Sequence, residues 1–375
     1  MRILFLVSCV TAHDERFVRS MSAAGNAVCV FSFHWRPLPP GLADLPGVTI
    51  ERVDLHVIPR LQRLWPVHLL PRLRRVIREF KPDVMHGGNT WNESYLAALS
   101  GFHPLLVMPY GSDVLLDSER SFIFRHANKV VFRTADWVSC DAQHVKNKLV
   151  NYYGFPADRI TIFPKGIDVE AIAALRDKHR AAARAALGWD DAYILALTRN
   201  HEGVYDIPTF LRAFERLVRA DGRYRAVMAG SGSLTPELKA WAHAHDLDRY
   251  ISWQGKMPYA DLLRTLQAAD LYVSTSLSDG TSVSLLEAMA SALPVAVTDV
   301  PSNLEWITPG TNGAVVPRGD DAALAEAIAA IAAEPEKARL YGQRNQALAR
   351  ARGDWQGNYR ELENLYRSLI TGTHA

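Results

Sequence analysis

"DLYVSTSLSDGTSVSLLEAMASALPVAVTD", residues 270–299, decides the fold. Two short apolar runs, "DLYVSTS" and "LPVAVTD", bracket a helical stretch from Val283 to Ala290. Strand, crossover helix and strand form the unit of a parallel sheet. Leu285, Leu286, Met289 and Ala290 make the helix apolar on most sides, so it packs against protein. One carboxylate, Glu287, sits inside it, and a second, Asp279, stands just ahead of the Gly-Thr-Ser turn. A buried charge is costly without a partner, so Glu287 calls for one.

The same alternation runs outward in both directions. The first half offers strands at Ile3–Val7, Ala27–Phe33, Val84–His86, Leu105–Met108, Trp137–Ser139 and Ile160–Phe163, with helical patterns such as Glu15–Ala23 and Trp91–Ser100 between them. "FPKGIDVE" ends that series at Pro164 and Gly166, and an Ala/Arg-rich helix over 169–187 follows. A second series starts at "DDAYILALTR" and continues through "YRAVMAG", "RYISWQG" and "DLYVSTS" to "NGAVVP". The pattern predicts an α/β chain of two Rossmann-like halves, 1–166 and 167–353, closed by an amphipathic helix from Asp354. Doubly wound sheets bind ligands beyond the carboxyl ends of their strands, so two facing sheets would place a ligand between domains.

Composition narrows the class. At 375 residues, two domains are the default, and 48% apolar with 22% charged residues fits a soluble globular protein. No run of 18 apolar residues occurs, and "MRILFLVSCVTAHDER" reads as a first buried strand, not a signal peptide. Cys9, Cys29 and Cys140 lack metal-ligand spacing, which suggests reduced thiols in a cytoplasmic enzyme.

The net charge of +2 hides an asymmetry: residues 1–165 carry 20 Lys+Arg against 14 Asp+Glu. Much of the excess lies in residues 57–83, with seven basic and two acidic side chains interleaved with Leu61, Leu64, Trp65, Leu69, Leu70, Leu73, Ile77 and Phe80. Two readings stand here: a helix with solvated arginines, or a surface for an anionic acceptor or the inner face of a membrane. No recognition motif for nucleic acid accompanies the charge.

The loops after the strands narrow the chemistry. The loop after the first strand has no glycine, and "AGSGSLTPE" has Gly230 and Gly232 but Thr235 where a third glycine would stand, so dinucleotide binding is disfavoured. "SDGTSVS" instead opens a helix, so backbone N–H groups near Thr281, Ser282 and Val283 offer a phosphate site. Glu287 lies about 7 Å further along the axis, and Asp279 lies on the other side of the helix start. A nucleotide sugar has the matching shape, with a diphosphate between ribose and hexose.

"DGTSVSLLEAMASALPVAVTDVPSNLEWI" resembles the E-x7-E segment of glycosyltransferase family 4, retaining enzymes of the GT-B fold. "AAGNAVCVFS", "KPDVMHGG", "PYGSDVL", "ITIFPKGID", "LTRNHEGVYDIPTFLRAF", "YRAVMAGSG", "ISWQGKMPYADLL" and "GTNGAVVPRGD" resemble the family in the same order, across nearly the whole chain. The resemblance implies that Glu287 binds the donor ribose and Asp279 the transferred sugar, aided by the backbone after Gly280. It implies that Arg199 neutralises the diphosphate, with Asn200 and Gly232 nearby. Trp253–Met257, including Gln254, Gly255 and Lys256, would line the base. The final helix would cross back onto the first, acceptor-binding domain. Three positions depart from the family: Asp279 replaces a glutamate, Tyr205 stands about where a lysine often follows the arginine, and Tyr110 replaces a histidine.

His13 and Arg16, just after the first strand, and Asn89, Glu93 and Tyr110 are candidates for contact with sugar or acceptor; capping by Asp14 is the plainer role for the "AHDER" turn. Asp246–Asp248 reads as a solvated turn, and neither metal nor cofactor is expected, because Arg199 and the helix end can carry that electrostatic role. The expected reaction moves a sugar, UDP-linked before GDP-linked, to a carbohydrate, lipid-linked or small-molecule acceptor in cell-surface polysaccharide or glycolipid synthesis. A nucleotide-sugar epimerase or hydrolase and a non-catalytic binding subunit are the rivals.

Overall fold

Seven parallel strands form the first sheet, in the order β3-β2-β1-β4-β5-β6-β7. The computed structural model describes residues 1–33, 37–53, 65–117, 119 and 121–373. Along the chain come β1 (Arg2–Val7), α1 (Ala12–Ala23), β2 (Ala27–Ser32), β3 (Val48–Arg52), α2 (Trp65–Phe80), β4 (Val84–Gly87), α3 (Glu93–Ser100) and β5 (Leu105–Val107). A π-helical turn at Asp113–Asp117 precedes α4 (Phe122–Thr134), β6 (Trp137–Cys140), α5 (Gln143–Tyr153) and β7 (Ile160–Ile162). From Ile3 to Val7 every side chain of β1 is buried, as expected of a central strand covered on both faces.

The second sheet has six parallel strands, in the order β10-β9-β8-β11-β12-β13. Its elements are α6 (Val169–Ala173), α7 (Arg176–Leu187), β8 (Tyr193–Leu197), α8 (Ile207–Ala220), β9 (Tyr224–Ala229), α9 (Thr235–Ala244), β10 (Ile251–Gly255), α10 (Tyr259–Ala268), β11 (Leu271–Ser274) and α11 (Val283–Ala290). Then follow β12 (Val295–Thr298), α12 (Pro301–Leu304), β13 (Ala314–Val316), α13 (Asp321–Ala333), α14 (Pro335–Arg352) and α15 (Trp355–Thr371). The chain divides into two compact units, Met1–Phe163 with Tyr359–Ala375, and Pro164–Asn358. The strand order reverses between β1 and β4 in one unit and between β8 and β11 in the other. These are the switch points where such sheets bind ligands.

Three expectations change in detail. β3 was not foreseen, because "VTIER" is a half-exposed edge strand without a continuous apolar run. The single helix expected over 169–187 is broken into α6 and α7 around Ala174 and Leu175. Of the basic segment 57–83, residues 57–64 (with Leu61 and Leu64) lie outside the described residues, and α2 covers most of the rest. Its Leu69, Leu73 and Val76 are buried in the core while Arg72, Arg74, Arg75 and Arg78 face outward.

His86, on β4, is a core residue. Its Nδ1 is 2.6 Å from the Tyr366 hydroxyl of α15, and its ring packs edge-on against Phe5 and Phe17. Among the described residues no helix is long and apolar enough to cross a membrane.

Candidate functional site

Arg199 leaves the carboxyl end of β8 and is buried. Its guanidinium reaches the start of α11, donating from Nη1 to the hydroxyls of Ser282 (2.6 Å) and Ser284 (2.9 Å) and from Nη2 to the Asp279 carboxylate. Ser282 is also the N-cap of α11, accepting from the Leu285 amide, and Tyr272 of β11 donates to Ser284 at 2.9 Å. A guanidinium at the positive end of a helix is repelled by the macrodipole. The Asp279 carboxylate offsets this: burial alone would lower the Arg199 pKa, yet Asp279 holds it above its ordinary value. Asp279 therefore stands where an external anion would be held by the same two cationic elements.

Tyr205, at about the position of the missing lysine, lies with its ring 4.1 Å from the Arg199 guanidinium carbon. That is a cation–π contact, which steadies the arginine without adding a second charge. Glu287, on α11, is buried at 4% exposure. Tyr272 lies close enough for its charge to help raise the phenol's pKa, after the larger effect of burial.

The loops after β8 and β9 are packed backbone to backbone. A Cβ at Gly230 would sit 2.1 Å from the Arg199 carbonyl oxygen, and one at Gly232 would sit 2.3 Å from that of His201. The glycine spacing of "AGSG" thus serves the approach of these two loops. Ser233 then donates from its amide and hydroxyl to Glu202, tying the loops together. Asn200 is exposed beside them.

His201 is a residue that sequence reasoning passed over. It is buried, its Nδ1 is 2.9 Å from the Thr235 hydroxyl, and its ring meets Trp253 edge-on at 5.8 Å. Burial first, and then nearby Lys239, lower its pKa below the ordinary imidazole value. Ser284 and Tyr272 were also missed: a serine and a tyrosine in apolar runs carry no sequence signal of an arginine partner. Gln254 and Lys256 are exposed at the end of β10, where Gln254 donates to Ser252.

At the carboxyl ends of β1, β4 and β5, the first unit gathers a polar cluster. Asp14 is buried; its carboxylate closes a capping box with Thr11 and accepts from the Tyr110 hydroxyl at 3.2 Å. The expected capping role of Asp14 holds, but the residue is interior, not a surface cap. Tyr110 lies over Gly88, where a Cβ would come within 2.6 Å of its hydroxyl oxygen. The residue keeps 36% of its surface, yet burial at its hydroxyl end and the Asp14 charge raise its pKa. Glu93 is 2% exposed and accepts from the Ser8 amide at 2.7 Å. Its other oxygen is buried with no partner among the described residues. Burial pushes its carboxyl up to about 7, against the Ser8 hydrogen bonds and with a smaller push from Asp14.

The remaining candidates sit nearby in less specialised roles. His13 is exposed and Arg16 half-buried on α1. The side-chain oxygen of Asn89 accepts from the Trp91 amide at 3.0 Å, shaping the turn into α3. Asp248 pairs with exposed His243 at 2.6 Å, and among the described residues no three His, Cys, Asp or Glu side chains are grouped so that they could hold a metal ion.

Two sequence profiles match the chain, "Glycosyltransferase Family 4" over residues 10–171 and "Glycosyl transferases group 1" over residues 180–347. The chain belongs to glycosyltransferase family 4. A D-inositol 3-phosphate glycosyltransferase of Nocardia farcinica is 28% identical over 66% of this chain and 56% of the relative. A GDP-mannose-dependent monoacylated phosphatidylinositol monomannoside mannosyltransferase of Corynebacterium glutamicum is 24% identical over 55% of each. The chain thus matches little more than half the length of these relatives. Among solved structures, Anabaena HepE in complex with UDP superposes with a TM-score of 0.80 at 19% identity, over 98% of this chain and all of that one. The fold is GT-B, and this family-4 chain carries both Rossmann-like units of it.

Proposed function

We propose that this family-4 chain transfers a hexosyl group from a nucleoside-diphosphate sugar to an acceptor hydroxyl with retention of anomeric configuration and without a metal. The observation that carries the reading is the Arg199 guanidinium seated on the start of α11 with Asp279 as its internal counter-ion. In the reaction the bond from the anomeric carbon to the diphosphate oxygen breaks and one to the acceptor oxygen forms. The acceptor proton passes to the departing phosphate. Negative charge grows on that phosphate, where Arg199 and the helix end are preorganised to meet it. Asp279, displaced from Arg199, is then available to the sugar hydroxyls, and Glu287 to the ribose.

HepE is solved with UDP-glucose, and the Corynebacterium relative is described as GDP-mannose-dependent, so the donor preference is UDP-sugar first and GDP-sugar second. Several relatives are named for inositol phosphate or lipopolysaccharide chemistry, which supports a role in cell-surface polysaccharide or glycolipid synthesis at the cytoplasmic face. The arginines of α2 suit an anionic acceptor or peripheral membrane contact. A panel of nucleotide sugars tests the donor by thermal stabilisation, followed by product analysis with labelled donor. Stabilisation without acceptor-dependent product would favour an epimerase, a hydrolase or a binding subunit. No stabilisation by any nucleotide sugar would overturn the reading.

A further inference from the structure

At the amino ends of the second sheet lies a cleft of about 790 Å³. Doubly wound sheets hold their ligands at the carboxyl ends, so this cleft is at the opposite end of the strands from Arg199 and the start of α11. Four neighbouring strands line it: Arg223 stands just before β9, Tyr193 opens β8, and Asp270 and Pro294 stand just before β11 and β12. One wall is α14, which contributes Arg339, Gln343, Gln346 and Arg350. These four share one helical stripe, roughly 16 Å from end to end.

The wall is fixed in place. A Cβ at Gly342 would sit 2.0 Å from the Ala292 carbonyl oxygen, so α14 lies directly on the turn between α11 and β12. Asn345 donates to the Leu293 carbonyl at 2.8 Å, and Gln346 donates to that of Ala290 at 2.9 Å. A preformed cleft of this volume suits a small ligand. Its acids are engaged: Asp270 accepts from Arg180, Arg184 and the Ile194 amide, and Glu170 pairs with Arg350 at 2.8 Å. Arg223 and Arg339 pair with Asp221 and Glu336, their near neighbours in sequence, and both pairs are exposed. Such pairs are weak and give way to a stronger anion. The Tyr193 hydroxyl is buried with no hydrogen-bond partner among the described residues. A buried hydroxyl in that state calls for an acceptor from outside the chain.

We propose that this cleft is a second binding site, for a phosphate monoester of a small polyol. The phosphate would meet Arg223 and Arg339, whose planar forks match its oxygens in pairs. Hydroxyl groups would meet the Gln343 amide and Tyr193. The carbon skeleton would lie on the small apolar wall of Ala173, Ala292, Pro294 and Ala338. An inorganic anion would satisfy the arginines but leave the amide and the apolar wall unmatched. A wholly apolar ligand would leave the arginines and the Tyr193 hydroxyl unmatched. The site stands apart from the proposed transfer and does not rest on it.

The test is isothermal titration of the full chain with glycerol 3-phosphate, ribose 5-phosphate and sorbitol 6-phosphate. Glycerol, ribose, sorbitol and inorganic phosphate are titrated beside them. At least one ester should bind about tenfold or more tighter than both its parent polyol and inorganic phosphate. Arg223→Gln with Arg339→Gln, a change confined to exposed side chains, should weaken that ester by about tenfold or more. Ala338→Trp keeps both arginines but fills the cleft from α14, and it should abolish binding. Melting temperature and nucleoside-diphosphate affinity are measured on every variant, and for the arginine variant both should match wild type. Absence of binding by all three esters, or unchanged binding by the arginine variant, overturns the proposal. Inorganic phosphate binding as tightly as the esters overturns it too. Ester binding that falls only together with nucleoside-diphosphate affinity would place the phosphate at Arg199 and would also overturn it.

Discussion

Arg199 and Asp279 form a buried ion pair at the start of α11, with side chains only 9% and 19% exposed. The pairing makes Asp279 a competitor for any phosphate that approaches Arg199. Asp279→Asn keeps a hydrogen-bond acceptor but removes the competing charge. Isothermal titration should then show a nucleoside diphosphate without sugar binding several-fold tighter than to wild type, on the order of 1 kcal/mol. Sugar transfer should fall, because the carboxylate for the hydroxyls is gone. Weaker diphosphate binding would mean that the pair does not open for the ligand.

Arg199→Ala should cost about 3–5 kcal/mol in stability, since it strands a mostly buried carboxylate. It should also lower turnover on the order of 10²-fold or more by removing one preorganised charge. Arg199→Lys separates the two effects. It restores most of the charge balance, while losing the fork that reaches Asp279, Ser282 and Ser284 together. A lysine variant with wild-type turnover would reduce Arg199 to a structural role.

Glu287→Ala should weaken donor binding at least tenfold while leaving the melting temperature within a few degrees of wild type. The expectation follows from a buried carboxylate on the helix whose start holds Arg199, which the proposed transfer pairs with the donor ribose. Urea unfolding run beside donor titration distinguishes ligand contact from buried structural charge. A large loss of stability with unchanged donor affinity would assign Glu287 to the fold.

Legibility in the sequence followed physical range. Both sheets could be read because each central strand is a continuous apolar run, which buried parallel strands require. β3 escaped because an edge strand need be apolar only in part. At the site, Asp279 and Glu287 drew notice from their charge and their position relative to a helix start, and Arg199 from the family resemblance; the structure joins Arg199 to Asp279. Their companions were not legible: Ser284, Tyr272 and His201 acquire roles only when loops from different strands meet. Tyr205 looked like a loss of phosphate charge, and the fold turns it into a platform under Arg199. Tyr110 looked like a missing histidine, and it is a hydrogen-bond partner of buried Asp14.

Transfer should survive exhaustive treatment with EDTA. In the proposed reaction the leaving diphosphate is met by Arg199 and the start of α11, elements already held by Ser282 and Ser284. The measurement is product formation before and after chelation, with magnesium and manganese added back separately. Activity restored only by added metal would overturn the helix-end account of phosphate stabilisation.

Glu93 should make stability fall as pH rises from acid to neutral. Its ordinary value is 4.5, and burial lifts it to about 7 in the folded chain. Between those values the unfolded chain has released its proton while the folded chain still holds one. Stability therefore drops with rising pH across that window, and the full penalty is reached above it. The span corresponds to roughly 3 kcal/mol. Glu93→Gln keeps an acceptor for the Ser8 amide and imitates the protonated acid, so it should remove the slope. Urea unfolding of both proteins at about pH 5 and about pH 8 checks this, with Asp14 unchanged as the neighbouring charge. The two proteins should be nearly equal in acid, and the glutamine variant should be the more stable by up to ~3 kcal/mol in base. Parallel stability curves would show that Glu93 titrates normally and that its unpartnered oxygen is solvated in solution.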